Sequence, residues 1–242
     1  MIPWLATLWL LSTPFQEALA FARYLDQQGD PYRAILEYRR ALFLLPSPDT
    51  LTHDALVLRI AQLQEKLDQP LKALQTLEEA WDTTAPAWRF ERGRAYFLQG
   101  LYGQARRSWQ GRDTLVGWTY LREHDFRKAA RYLGPIPPPP RRHPWLAAVL
   151  SAAMPGLGKV YAGHPWDGLF SFLVHAFTGW RTYRSVQEHR PVATAIYGSL
   201  FAFFYAGNVY GSYVAARQYN QTQIAFRVAE TEVHLGLWRY LP

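Results

Sequence analysis

The chain has 242 residues, enough for one ordinary domain and a small second one, and it contains no cysteine, which excludes disulfides, thiolate metal sites and a cysteine nucleophile. Lys and Arg number 26 against 19 Asp and Glu, a formal charge of +7 that suits an anionic membrane surface. No nucleic-acid-binding module accompanies that charge, so nucleic acid is not an expected partner.

Residues 1–20 read as an export signal or an uncleaved amino-terminal anchor. Pro3 to Leu11 is apolar, and Ala18-Leu19-Ala20 fits a small-residue cleavage site. No Lys or Arg precedes the apolar run, and a cut after Ala20 would remove the start of the first helical pattern. Retention of the segment, or a cut a few residues earlier, stays open on those grounds.

From residue 15 to 134 the pattern predicts helical hairpins. Gly29-Asp30-Pro31 opens a run with Ala34, Tyr38 and Ala41 that closes at Pro46, and it resembles the second half of a tetratricopeptide repeat. The frame recurs at Asp68 to Trp81, at Gly93 to Trp109 and, more weakly, at Gly117 to Leu133. The equivalent alanines, Ala34, Ala73, Ala105 and Ala129, lie 39, 32 and 24 residues apart, which implies an insertion near Ser47 to His53 and a shortened last pair. An array of this length is just enough to bury a continuous core.

Residues 135–144, with four consecutive prolines followed by Arg141 and Arg142, form the expected linker. Such a tract favours the extended polyproline form and serves as a semi-rigid strut. Residues 145–216 then read as a membrane half-helix and a two-helix hairpin. Trp145 to Ala153 is too short to cross a bilayer, whereas Pro191 to Ala216 is 26 residues without a charge. Gly168 to Trp180 spans only if extended to about Pro165 and Tyr183, and Trp145, Trp166, Trp180 and Tyr183 sit where interfacial anchors belong. Burial of both helices in a soluble bundle is the competing reading, since the mean hydropathy of the chain is only −0.20. Residues 217–242 are expected to form an amphipathic tail whose end, Leu237 to Tyr240, lies on the membrane or docks on the repeats.

Between the half-helix and the hairpin lies a turn in which Pro155, Gly156, Gly158, Lys159, Tyr161, Gly163 and Asp167 are the singled-out residues. Pro155 removes a backbone donor, and Gly156 and Gly158 permit close approaches. Such a break at membrane depth is tolerable only where protein or a water-filled cavity covers the freed groups. Asp167 near Lys159 is expected to close the turn as an ion pair. His175 is expected to bond a neighbouring helix through Asn208 or Tyr205, and Gly207, Gly211 and Ala215 to form a close-packing stripe with Asn208 as interhelical glue. No histidine pair has metal-site spacing, and no phosphate loop or nucleophile elbow is present, so neither an enzyme, a cofactor nor a metal is expected.

The blocks Pro155-Gly156-Leu157-Gly158-Lys159-Val160-Tyr161-Ala162-Gly163 and Gly207-Asn208-Val209-Tyr210-Gly211 resemble those of small bacterial membrane proteins of unassigned function that carry a Pro-Gly-Leu-Gly-Gln-x-Tyr-x-Gly turn before a membrane hairpin. Lys159 replaces the usual Gln. The resemblance implies an envelope setting, with the hairpin in the inner membrane and tetratricopeptide-like repeats in the periplasm. The expected fold is therefore all-α, a helical-hairpin solenoid joined by a Pro-rich linker to a membrane hairpin. The expected function is a non-enzymatic membrane-tethered scaffold that holds a protein partner in the repeat groove, with Tyr24, Arg89, Arg92 and Tyr96 as the contact residues. The alternative is an ion, lipid or solute site at the broken helix, which with two crossings requires a homo-oligomer.

Overall fold

A computed structural model of the chain describes residues 13–242, so Pro3 to Leu11, the apolar core of the expected signal, lies outside the described residues. Among the described residues the fold is all-helical, with no strand. The helices are α1 (Pro14–Gln27), α2 (Pro31–Phe43), α3 (Thr50–Lys66), α4 (Pro70–Leu77), α5 (Pro86–Leu98), α6 (Tyr102–Ser108), α7 (Asp113–Arg122), α8 (Phe126–Leu133), α9 (Pro144–Ala153), α10 (Leu157–Tyr161), α11 (Pro165–Gln187) and α12 (Pro191–His234). A 3₁₀ turn, Leu237–Tyr240, ends the chain. Proline opens α1, α2, α4, α5, α9, α11 and α12, where the missing N–H would be unpaired in any residue. Side-chain caps from Thr13 and Asp30 add to the prolines of α1 and α2, and caps from Asp49 and Asp125 satisfy the starts of α3 and α8.

Two compact units divide the chain within the proline tract: residues 1–136 with 232–242, and residues 137–231. In the first unit each helix packs on the next. The four turns within its helix pairs, α1–α2, α3–α4, α5–α6 and α7–α8, share one geometry. Gly29, Asp68, Gly100 and His124 all have left-handed backbone, and each lies five residues before Ala34, Ala73, Ala105 and Ala129, which are fully buried. In each turn the next N–H reaches back to close the preceding helix: Asp30 to Leu25, Gln69 to Gln64, Leu101 to Tyr96 and Asp125 to Tyr120.

Twelve residues before those alanines stand Ala22, Ala61, Gly93 and Gly117, all buried. A Cβ at Gly93 would lie 2.2 Å from the Trp109 indole, and one at Gly117 would lie 2.6 Å from Leu133, so the paired helices touch backbone against side chain. The insertion at Ser47 to His53 is spent on a clamp. Asp54 accepts the Trp81 and Asp82 N–H groups at 2.8 Å, and the His53 ring stacks on Trp81 at 3.8 Å.

The carboxyl-terminal residues return to this unit. Leu237 is fully buried, Tyr240 meets the Phe90 and Trp118 rings at 6.3 Å, and Glu232 accepts the Trp118 indole N–H at 2.6 Å. Docking on the helical hairpins is thus where the tail goes. It is not a separate helix from Arg217: α12 runs 44 residues without interruption because no Gly or Pro follows Gly211 until Gly236.

In the second unit α11 and α12 form an antiparallel hairpin. The Phe201 ring covers Gly179, with a Cβ there at 3.3 Å, and Thr182 faces Gly198. A seam of small residues, Ala147, Ala162 and Ala216, joins α9, α12 and the residue that closes α10. Among the described residues, α12 alone is long and apolar enough to cross a membrane. At 23 residues α11 matches the bilayer in length but falls short in hydropathy.

Candidate functional sites

The first unit carries a groove on α5 and α6. It encloses ≈ 450 Å³ and is lined by Trp88, Arg89, Arg92, Tyr96 and Arg107, with Thr83, Gln104 and Ser108 at its margin. Helical spacing places Arg89, Arg92 and Tyr96 on one face of α5. The Arg92 guanidinium lies 4.9 Å from the Trp88 ring centre and 5.5 Å from that of Tyr96, and it donates to the Tyr96 hydroxyl at 3.2 Å. Trp88 is itself pinned by its indole N–H, which donates to the Leu77 carbonyl at 2.6 Å.

None of Arg89, Arg92 and Arg107 pairs with a carboxylate among the described residues. Their neighbours Arg94 and Arg106 do, with Glu65 and Glu91 and with Glu123 respectively. Three of the four expected contact residues therefore meet in one place. Tyr24 does not: it is half exposed on α1 and stacks on Phe21. Sequence reasoning missed Arg107, since an arginine beside Arg106 on α6 carries no motif to mark it. Only the three-dimensional frame turns one arginine to Glu123 and the other into the groove.

The second unit is organised at the turn after α9. Pro155 stops the helix, and Gly156, with φ +90, reverses it. A Cβ on Gly156 would sit 2.0 Å from the Gly168 carbonyl oxygen, and one on Gly158 would sit 1.8 Å from that of Ala147. The freed backbone groups are then taken up by side chains of α12 and by Ser151 of α9. Gly156 N–H donates to Asn208 Oδ1 at 3.2 Å, and Asn208 Nδ2 donates to the Ser151 carbonyl at 3.3 Å. Gly158 N–H donates to Ser151 Oγ at 3.0 Å, Ser151 Oγ meets Ser212 Oγ at 2.6 Å, and the Tyr205 hydroxyl donates to the Ala152 carbonyl at 2.6 Å. Buried backbone polar groups require such partners, and here side chains supply them. Asn208 is the expected glue; Ser151 and Ser212, which share the work, carried no motif to mark them.

Three expectations are corrected at this turn. Lys159 donates to Ser171 Oγ at 2.7 Å, while Asp167 is exposed and lies 3.6 Å from His164. The cause is the start of α11 at Pro165, which leaves Asp167 on its outer first turn and brings Ser171 round to the lysine. His175 does not bond α12: its Nδ1–H donates to the Ser171 carbonyl one turn back, and the ring rests edge-on against Phe201 and Tyr205. Its Nε2 is buried without a partner. Of the expected stripe, Ala215 packs beside the small-residue seam, but Gly207 and Gly211 are not tight contacts: a Cβ at Gly207 would meet nothing within 4 Å and one at Gly211 only the Lys159 side chain at 3.7 Å. The tight seam of α12 is Asn208, Ser212 and Ala216, one residue further round, because the broken helix needs the polar side chains facing it. Tyr161 accepts the His143 N–H at 3.1 Å, and Gly163, with φ +91, closes the short helix behind it.

Among the described residues no cluster of three or more metal-ligating side chains occurs. The chain matches no protein-family model, no curated protein and no solved structure.

Proposed function

We propose that the chain is a membrane-tethered adaptor of the bacterial envelope, not an enzyme, whose first unit is a tetratricopeptide-like solenoid in the periplasm that holds an acidic segment of a protein partner. The carrying observation is the groove of α5 and α6, where Arg89, Arg92 and Arg107 lie without carboxylates against a wall of Trp88 and Tyr96. Arginines of this kind bind carboxylates in bidentate fashion and stack on aromatic faces, so an acidic chain with apolar side chains fits them. The second unit serves as the tether. Its long apolar helix is the first crossing, and α11, about 34 Å long at 1.5 Å per residue, is the second.

The competing reading, an ion or solute site at the broken helix, has less support. The backbone groups a ligand would need there are already bonded to Ser151, Asn208 and Tyr205.

The test is a titration of the full chain in detergent with a labelled peptide rich in Asp and Glu, against its Asn/Gln counterpart. The acidic peptide is expected to bind tighter, weaken with salt, and lose at least about five-fold affinity in Arg92→Gln, the scale of one charge-assisted hydrogen bond. Equal binding of the two peptides would sink the proposal. A photo-cross-linker at Tyr96 in intact membranes, with one at Tyr24 as control, then identifies the partner.

A further inference from the structure

We propose that Arg142, assisted by Arg217, binds the phosphate of an anionic phospholipid at the edge of the bilayer, a proposal that rests on the membrane reading of the second unit. Arg142 is held in place without being neutralised. Its N–H donates to Asn220 Oδ1 at 2.8 Å and its carbonyl accepts from Asn220 Nδ2 at 2.8 Å, a two-point clamp that fixes the end of the proline tract to α12. Its guanidinium lies 4.2 Å from the Tyr219 ring centre and 5.6 Å from that of Tyr161. Gly163 is beside it, and a Cβ there would come within 3.7 Å of the guanidinium nitrogen.

The charge of the second unit leaves this arginine free. Residues 137–231 contain three carboxylates, Asp167, Glu188 and Glu230, and each is engaged elsewhere: with His164, with Arg184 and Arg190, and with Arg227. Arg141, Arg142 and Arg217 therefore have no acidic partner among the described residues. A half-buried guanidinium on an aromatic bed retains its five donors for an oxyanion, and phosphate fits that fork.

Depth decides which phosphate. The uncharged run Pro191 to Ala216 ends at Arg217, and its 26 residues rise about 39 Å, enough to cover a hydrocarbon core of about 30 Å. Asn220, which holds Arg142, lies about 4.5 Å further along the same helix. Both arginines thus fall at the headgroup layer. Trp145, 74 % exposed, packs on Tyr213 at 5.2 Å, and Tyr213 in turn carries Arg217 at 6.0 Å. An exposed indole beside an unneutralised arginine suits a lipid, which offers glycerol and acyl chain next to its phosphate.

The experiment uses the full chain in a neutral detergent and reads its melting temperature against dioctanoyl phosphatidylglycerol, dioctanoyl phosphatidylcholine and inorganic phosphate. Phosphatidylglycerol is expected to raise the melting temperature saturably, with a midpoint at least about five-fold below that of phosphatidylcholine, the size of one arginine–lipid attraction. Inorganic phosphate is expected to have no effect at the same concentrations. Arg142→Gln should raise the phosphatidylglycerol midpoint about five-fold and Arg142→Lys should restore most of it, with Arg217→Gln giving a smaller shift of the same sign. Equal midpoints for the two lipids, or an unchanged midpoint in Arg142→Gln, overturn the proposal, and a response to free phosphate equal to that of the lipid overturns the lipid assignment. Failure of the membrane reading has a different signature, a wild-type chain that stays monodisperse once detergent is removed.

Discussion

Glycine does different work at Gly158 and Gly207, although both belong to the blocks that mark the second unit. At Gly158 the space for a Cβ is filled by the Ala147 carbonyl at 1.8 Å, a rigid backbone neighbour, whereas at Gly207 nothing stands within 4 Å. Gly158→Ala is therefore expected to destabilise the second unit by roughly 3 kcal/mol, the upper end of overpacking. Gly207→Ala is expected to be neutral or to stabilise by up to about 1 kcal/mol through helix propensity. Detergent-resolved thermal melts of the two variants check the contrast, and similar losses in both would refute it. A second residue-scale effect sits in the first unit, where Glu65 is buried beside Arg94 and Glu91. Burial outweighs the attraction of Arg94 and, with the repulsion of Glu91, pushes the Glu65 carboxyl up to about 7. Between its unfolded value and 7 the native carboxyl keeps a proton that the unfolded chain has lost, so stability falls as pH rises through that window. A shift of this size corresponds to about 3 kcal/mol lost between pH 4.5 and 8. Urea unfolding of the wild type is expected to show that decline and Glu65→Gln to flatten it. A wild-type curve that rises over the same range would show the carboxylate to be stabilised instead.

At the scale of elements, the hairpins and their junctions differ in how far the sequence betrays them. The buried alanines Ala34, Ala73, Ala105 and Ala129 and the break at Pro155 were legible, since small residues at fixed spacing and fixed-φ residues act locally. The recurrence of left-handed turns at Asp68 and His124 was not, because neither is glycine and the requirement shows only in the backbone. The pairing of Gly93 with Trp109 and of Gly117 with Leu133 was likewise out of reach, being a contact between helices. Of the groove, the three residues on α5 were legible from one helix face, while Arg107 arrives from α6 and needed the fold. The tail was the least legible element, because amphipathicity is equally compatible with lipid and with protein. Its anchor is Leu237, fully buried, while adjacent Trp238 is 61 % exposed. Leu237→Ala is expected to destabilise the first unit by about 3 kcal/mol, the usual range for emptying a leucine site. Trp238→Ala should stay within about 0.5 kcal/mol, as surface substitutions do. Unfolding followed by the fluorescence of the first unit's tryptophans measures both, and equal effects would mean that the tail is not seated through Leu237.

For the whole molecule the controlling variable is solvent. In the first unit the large side chains Trp109, Trp118, Leu63 and Leu77 are fully buried and the exposed face is rich in ion pairs, the distribution that water imposes. In the second unit the fully buried positions are small or polar, among them Ala147, Ser151, Ser212 and Ala216, and the large apolar residues point outward. Phe170, Val192 and Phe203 are 69, 72 and 73 % exposed. Many large apolar residues exposed together on one unit suit a face that meets something other than water, and polar groups turned inward are what a hydrocarbon solvent selects. The absence of cysteine makes the matter testable at single positions, since one introduced thiol gives one spin label. A label at Phe203→Cys in reconstituted bilayers is expected to collide freely with oxygen and hardly at all with a water-soluble nickel chelate, and a label at Lys72→Cys to show the reverse. A second label at Phe177→Cys, exposed on α11, extends the test to the shorter helix, whose hydropathy alone does not carry it across. If position 203 is lipid-like and position 177 water-like, α11 does not share the bilayer with α12 and the proposed two-helix tether fails. If both are water-like, the second unit does not cross the bilayer and the proposed membrane tether fails.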